Sequence, residues 1–170
     1  VHSARFQHDL AAPLLDVERV LLAPATLPVL TAALPEVASA EEVERVDDGT
    51  HVLRAARHVA RLTPPGFGRM IEGPHLAWIE EVRWDRAAHG GTFRIVPNLR
   101  SERRHLFRCE GTYRLDPIQG GTRRTVEVEV AIAVRIVGPP PVERLVLAQL
   151  EPHLGVEAEV IERLARSRAS

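Results

Sequence analysis

From Arg124 to Ile136 the chain alternates without a break. Arg124, Val126, Val128, Val130, Ile132, Val134 and Ile136 share one face, and Thr125, Glu127, Glu129, Ala131, Ala133 and Arg135 share the other. Period two over this length, with β-branched residues on the apolar side, predicts a half-buried antiparallel strand. Gly138–Pro141 cannot extend its ladder, because consecutive prolines remove the backbone donors. Helical spacing then begins near Pro140, with Val142, Leu145, Val146, Leu150, Leu154, Val160, Ile161 and Leu164 as an apolar stripe. Pro152 is expected to kink or interrupt this helix, and Gly155 to weaken it. A long strand delivered onto a long closing helix predicts a curved sheet wrapped around that helix. Such an arrangement encloses space.

Upstream, Ser3–Leu10 alternates as a first strand. Pro13 suits the start of a helix, where its missing N–H costs nothing, and Leu14, Val17, Val20 and Leu21 follow at helical spacing. Pro24 and Pro28 set off a second short helical piece, Ala25–Leu34. Strands come next: Val37–Val46, a turn at Asp47-Asp48-Gly49, Thr50–Leu62, Ala77–Arg86, Thr92–Pro97 and Glu102–Leu115. The Pro- and Gly-rich segment Thr63–His75 reads as a loop and a candidate gate. No internal repeat or linker divides the chain, so residues 1–170 are read as a single domain.

Charge and composition narrow the function classes. The formal net charge is −1, and all 22 basic residues are arginine. No overall electrostatic case exists for nucleic acid, and without lysine there is neither a Schiff-base nucleophile nor a Walker-type phosphate loop. Arg103-Arg104 and Arg123-Arg124 each place one arginine per strand face, which reads as a solvated sheet surface. The single cysteine, Cys109, excludes an internal disulfide and points to a reducing compartment. Val1–Leu10 is polar and mixed in charge, unlike a signal peptide, and no apolar run suits a membrane helix. A cytoplasmic location is the expectation.

The order of strand, two short helices, a run of strands and a long helix resembles the START-like (helix-grip, SRPBCC) superfamily. That superfamily includes lipid-transfer START domains, the birch-pollen allergen family and bacterial polyketide cyclases. The resemblance spans essentially the whole chain. Local wording also carries it: Phe6-Gln7-His8-Asp9 before a Pro13 helix, Trp78-Ile79-Glu80-Glu81-Val82-Arg83-Trp84 in mid-sheet, Gly111-Thr112-Tyr113-Arg114-Leu115, and Gly120-Gly121-Thr122-Arg123. Within the superfamily the chain looks most like bacterial members of unknown function. The resemblance implies an α+β fold, with an antiparallel sheet of about seven strands curled around the last helix. It also implies an apolar cavity between sheet and helix.

No metal-ligand spacing occurs among the eight histidines, and none of the serines lies in a GxSxG elbow. No cofactor and no metal are expected. Cys109 shares its strand face with His105, Phe107 and Tyr113, but four residues of strand separate His105 from it by about 13 Å, too far for direct activation. Cys109 therefore reads as a buried, inert thiol. Trp78 and Trp84 share a face with Glu80, which predicts a carboxylate turned inward beside two indoles. Desolvated there it would serve as an acid or base; paired with an arginine it would be structural. Thr50–Leu62 leaves its facing open, so Arg57 or His58 is the candidate anchor from that strand.

The function these readings favour is binding of a hydrophobic small molecule (lipid, fatty acid, sterol-like or polyketide-like) between sheet and last helix. Apolar contacts supply affinity and a few polar groups supply orientation. The expected binding residues are Arg57, His58, Trp78, Glu80, Trp84, His105, Phe107, Tyr113, Leu150 and Leu154. A cyclase, dehydratase or hydrolase using Glu80 or His105 in the same cavity is one alternative. A filled core with an exposed partner surface is the other, and cavity volume separates it from the first two.

Overall fold

The alternation that begins at Arg124 forms β7, Gly121–Ile132, whose Val126, Val128 and Val130 are buried while Glu127 is exposed. The computed structural model describes residues 1–63, 67–133 and 142–168. The expected continuation of the strand to Val134 and Ile136, and the Gly138–Pro141 turn, lie outside the described residues.

Six further strands complete one antiparallel sheet: β1 (His2–Leu10), β2 (Val37–Asp47), β3 (His51–Ala60), β4 (Ala77–Asp85), β5 (Gly90–Pro97) and β6 (Phe107–Ile118). The order is β1-β7-β6-β5-β4-β3-β2. Only one connection fails to join neighbours. It runs from β1 at one edge to β2 at the other through α1 (Leu14–Leu22) and α2 (Thr26–Ala33). The long helix α3, Val142–Arg168, closes the inner face of the sheet.

The poor alternation of β2 has a cause in the structure. Its pairing with β3 slips between Val37 and Ser39 and again between Glu42 and Glu44, so the period breaks at each irregularity. The turn after it is as expected: Gly49 adopts φ +86°, and Asp48 Oδ1 accepts from the Thr50 and His51 backbone amides.

Two expectations are corrected. The interruption expected at Pro152 does not occur: α3 runs through Pro152 and Gly155 as one element of 27 residues. Pro152 is exposed, so its lost hydrogen bond falls on the solvent side, while Leu154, Ala158, Ile161 and Ala165 keep the buried stripe in register. The strand read from Glu102 starts only at Phe107. Residues Ser101–Leu106 form a 3-10 helix, held by Arg103 N donating to Arg100 O and Arg104 Nε donating to Leu99 O. Alternating residue types there mimic a strand, but local hydrogen bonds decide the backbone.

The core has two parts. Under α1 and the C-terminal half of α3, Leu10, Val17, Val20, Trp84, Leu115, Ile161 and Ala165 are buried. Under the first half of α3, Val82, Phe93, Cys109, Val126, Val128, Val130 and Leu154 are buried. Phe6, Ile95, Phe107, Ile132, Val146, Leu147 and Leu150 around them remain only half-buried. The side chains of Val142 and Leu145, expected on the same stripe, lie outside what the structure describes. Gly111 sits beneath the Phe93 ring, 2.7 Å from where a Cβ would stand, so no larger residue fits under that ring.

Candidate functional site

Pairing registers place the inner-face residues in rows across the sheet. His58 lies opposite Trp78, Ala56 opposite Glu80, Arg54 opposite Val82, and Val52 opposite Trp84. The facing of β3 is thereby settled: His58 turns inward with Arg54, and Arg57 turns outward. Arg57 is exposed and reaches Glu41 of the neighbouring strand at 3.9 Å. It is withdrawn as an anchor, because period two cannot put both Arg57 and His58 on one face. His105 is also corrected. It sits exposed on the 3-10 helix Ser101–Leu106, away from the inner sheet face, where a strand register would have pointed it.

Glu80 does face inward, with its side chain 15% exposed, and it has arginine and phenol partners. Arg54 Nη2 donates to Glu80 Oε2 at 3.2 Å, and the Tyr113 hydroxyl donates to Glu80 Oε1 at 3.1 Å. His58 Nε2 stands 3.9 Å from Glu80 Oε2, and its ring stacks on Trp78 with centroids 5.3 Å apart and planes 2° from parallel. Burial lowers the His58 pKa; the Glu80 charge opposes that, and Arg54 adds to it. The imidazole lies flat on the Trp78 indole.

Tyr113 connects this group to a second ion pair. Its ring packs on Phe93 at 4.8 Å, and the Arg124 guanidinium lies 5.6 Å from its centroid. Burial pushes the phenol pKa well above the usual value, and the Glu80 and Glu157 charges push it further. Arg124, only 1% exposed, donates from Nη2 to Glu157 Oε2 and from Nη1 to the Leu154 carbonyl at 3.4 Å. Burial would raise the Glu157 carboxyl pKa, but Arg124, with help from His153, holds it below the usual range. One turn earlier on α3, His153 Nδ1 meets Glu36 Oε1, at the corner between α2 and β2.

Among the ten residues expected to bind, seven meet on this inner face. His58, Trp78, Glu80 and Tyr113 form the polar end, and Phe107, Leu150 and Leu154 belong to the apolar cluster beneath the first half of α3. Trp84 is on the inner face too, but it belongs to the other core. At 1% exposure it donates from Nε1 to Glu18 on α1 at 2.9 Å, and Glu18 also meets His89 Nδ1 at 3.1 Å. Its indole therefore ties α1 to the sheet.

Arg54, Arg124 and Glu157 were missed, although each left a trace. Arg54 shares the strand face of His58, Arg124 heads the apolar face of β7, and Glu157 falls between Leu154 and Val160 on the apolar stripe of α3. A charged residue inside an apolar register was the signal in all three cases.

Leu21, Leu22, Leu30, Val52, Arg54, Val82, Tyr113, Arg124, Glu157 and Ile161 enclose a cavity of about 30 Å³. That is room for one water-sized group. Among the described residues this cavity is far smaller than the several hundred Å³ that a drug-sized ligand needs. Under the first half of α3, Ile95, Phe107, Ile132, Leu147 and Leu150 are half-buried around the buried cluster. The segment around the expected gate is tied down: Ile71 bridges to Leu99, and Asn98 Nδ2 donates to the Glu72 and His75 carbonyls at 2.6 and 3.0 Å. Residues 64–66 of it lie outside the described residues. Among the described residues there is no group of three His, Cys, Asp or Glu that could hold a metal ion. Also among them, no helix is long and apolar enough to cross a membrane.

The sequence pattern of one family, described as protein of unknown function (DUF2505), matches residues 5–164. No curated protein matches the chain. Solved structures that are similar include TTHA0849 from Thermus thermophilus, at 23% identity and TM-score 0.68, covering 99% of this chain and 100% of that one. The Zhui aromatase/cyclase from Streptomyces sp. R1128 shares 16% identity at TM-score 0.64, covering 99% and 97%. A norcoclaurine synthase from Thalictrum flavum, in complex with dopamine and hydroxybenzaldehyde, shares 16% identity at TM-score 0.63, covering 99% and 88%. These likenesses establish the helix-grip fold.

Proposed function

This chain belongs to the DUF2505 family, and from that premise and the geometry of its interior we propose that it binds an apolar small molecule between the sheet and α3. One observation carries the reading. Inner-face side chains Trp78, Ile95, Phe107, Ile132, Leu147 and Leu150 are left half-buried beside the enclosed group Arg54–Glu80–Tyr113. A folded core ordinarily closes over such side chains, because each Å² of apolar surface left wet forgoes about 25 cal/mol. A half-covered apolar wall next to a few fixed polar groups is the composition of a small-molecule site. The norcoclaurine synthase with two aromatic compounds bound is a protein of the same fold that holds small molecules.

The ligand class is an apolar molecule of lipid, fatty-acid, sterol-like or polyketide-like character. It lies along Trp78, Phe107 and Leu150, with His58 and Glu80 at its polar end. Binding widens the interior at α3, since the enclosed cavity alone is too small for it. Anchoring is favoured over catalysis by the state of Glu80. Arg54 holds one of its oxygens and Tyr113 the other, which fixes the carboxylate in one orientation, as an anchoring group requires.

Native mass spectrometry of the protein purified from its own host, followed by extraction and identification of what it carries, is the direct experiment. A reproducible apolar adduct that quenches tryptophan fluorescence on reloading supports the reading, since the half-buried Trp78 would report it. A protein that carries nothing and ignores long-chain, sterol and polycyclic ligands alike is a filled-core interaction domain instead.

A further inference from the structure

The cavity behind Tyr113 is lined by two arginines, and each has a buried nitrogen with no hydrogen-bond partner among the described residues: Arg54 Nε and Arg124 Nε. Arg124 is 1% exposed. Leaving a donor on a charged group buried and unmade is costly, so such a pair asks for an acceptor. The space beside them, about 30 Å³, fits a single oxygen. Val82 and Tyr113 line this cavity and also pack within the apolar cluster that carries Phe107 and Leu150. The polar cavity and the apolar cluster therefore share these two residues.

Charge decides which oxygen. Arg54 is paired with Glu80, and Arg124 with Glu157, so the two guanidinium charges are already matched by two carboxylates. A ligand carboxylate would add a third buried anion with neither arginine of the cavity left to meet it, and an unpaired buried charge is strongly destabilising. A hydrocarbon would leave both Nε–H groups unmade. An uncharged acceptor satisfies the donors and keeps the balance.

We propose that this cavity seats the carbonyl oxygen of an apolar ketone, aldehyde or ester, with Arg54 Nε and Arg124 Nε as its donors. This rests on the small-molecule reading above and sharpens it to neutral, carbonyl-bearing ligands. Glu80 holds Arg54 in place for that oxygen, and Glu157 and the Tyr113 ring hold Arg124.

Calorimetric titration of the full chain with 4-phenyl-2-butanone, butylbenzene and 4-phenylbutanoate tests this, because the three share a phenylalkyl body and differ in the head. The ketone is expected to bind at least about tenfold more tightly than either of the others, as one or two charge-assisted hydrogen bonds would give. With the ketone labelled at its carbonyl carbon, the ¹³C resonance is expected to move downfield on binding. Arg54→Lys keeps a cation for Glu80 but removes Nε; it is expected to shrink the ratio of ketone to butylbenzene affinity to within threefold. If that variant loses butylbenzene too, the wild-type ratio and the ¹³C shift decide alone. Equal affinity for ketone and hydrocarbon overturns the carbonyl seat and leaves apolar binding standing. So does a carboxylate that binds most tightly, or a ketone preference that survives Arg54→Lys. If none of the three binds at millimolar concentration, the carbonyl seat is overturned, and the small-molecule reading is decided by the native mass spectrometry above.

Discussion

The Tyr113 hydroxyl donates a hydrogen bond to Glu80 Oε1 at 3.1 Å, joining β6 to β4 over the intervening β5. Tyr113 itself pairs with Gly91 on β5, whereas Glu80 pairs with Ile95, so the phenol reaches along the inner face. That one contact links the Arg54–Glu80 pair to the Arg124–Glu157 pair, because the Tyr113 ring also lies against the Arg124 guanidinium.

Tyr113 is the only tyrosine in the chain, so its ionisation can be followed without interference. Burial first, and then the Glu80 and Glu157 charges, hold the phenol protonated far above its usual range. Absorbance at 295 nm is expected to stay flat through pH 10 to 11 in the native protein, and to rise only together with loss of the far-UV circular dichroism signal. A phenolate that appears in the folded protein near pH 10 contradicts the enclosed geometry. Tyr113→Phe is expected to cost about 1–2 kcal/mol in urea unfolding, because Glu80 keeps Arg54 and loses one donor.

Arg124 and Glu157 make a second prediction. Arg124→Met strands a mostly buried carboxylate and is expected to destabilise by about 3–5 kcal/mol. Arg124→Met combined with Glu157→Leu is expected to recover a large part of that loss, since no unpaired charge then remains. Chemical denaturation of wild type, both single variants and the double variant gives the coupling. Simple addition of the two single losses would show that the pair does not act as a unit.

The His58 imidazole gives a pH dependence with a definite sign. Its folded pKa is lowered from 6.5, first by burial and further by Arg54 and His153, against the opposing charges of Glu80 and Glu157. His8 is lowered in the same way, by burial and then Arg124. Below pH 6.5 the unfolded chain takes up protons that the folded one resists, so stability falls as pH is lowered from 6.5 toward the folded values. Unfolding free energies at pH 7.5, 6.5 and 5.5 are expected to decline in that order. His58→Asn is expected to flatten part of the slope, and an unchanged slope would assign it to other groups.

Cys109 lies on the inner face between β5 and β7, and burial pushes its thiol up to about 12. Native protein at pH 8 is expected to be inert to a thiol reagent such as DTNB over hours, and to react stoichiometrically once unfolded in urea. Rapid native labelling would mean that the sheet opens at β6 far more often than its pairing on both sides implies.

Local repetition is legible without coordinates, and it carried most of the fold. The alternation on β7, the Asp48-Gly49 turn and the apolar stripe of α3 each follow from the spacing of neighbouring side chains, which is a property of the chain itself. Glu80 and Tyr113 were likewise placed inward by strand period alone. Three assignments needed the assembled molecule. His105 alternates with its neighbours but is drawn into a 3-10 helix by backbone hydrogen bonds. Arg57 and His58 are separated only by the register of β3 against β4. Pro152 sits in a helix that continues because packing on both sides of it outweighs one missing hydrogen bond.

Local spacing along the chain is enough for the succession of elements and, along each strand, for which residues share a face. Tertiary structure alone decided which charged groups meet. Arg54 with Glu80 spans 26 positions and Arg124 with Glu157 spans 33. Their pairing depends on strand register and on the docking of α3, and no local pattern encodes either. Periodicity records the direction of a side chain relative to its own backbone; a buried ion pair requires two directions from distant segments to converge on one point.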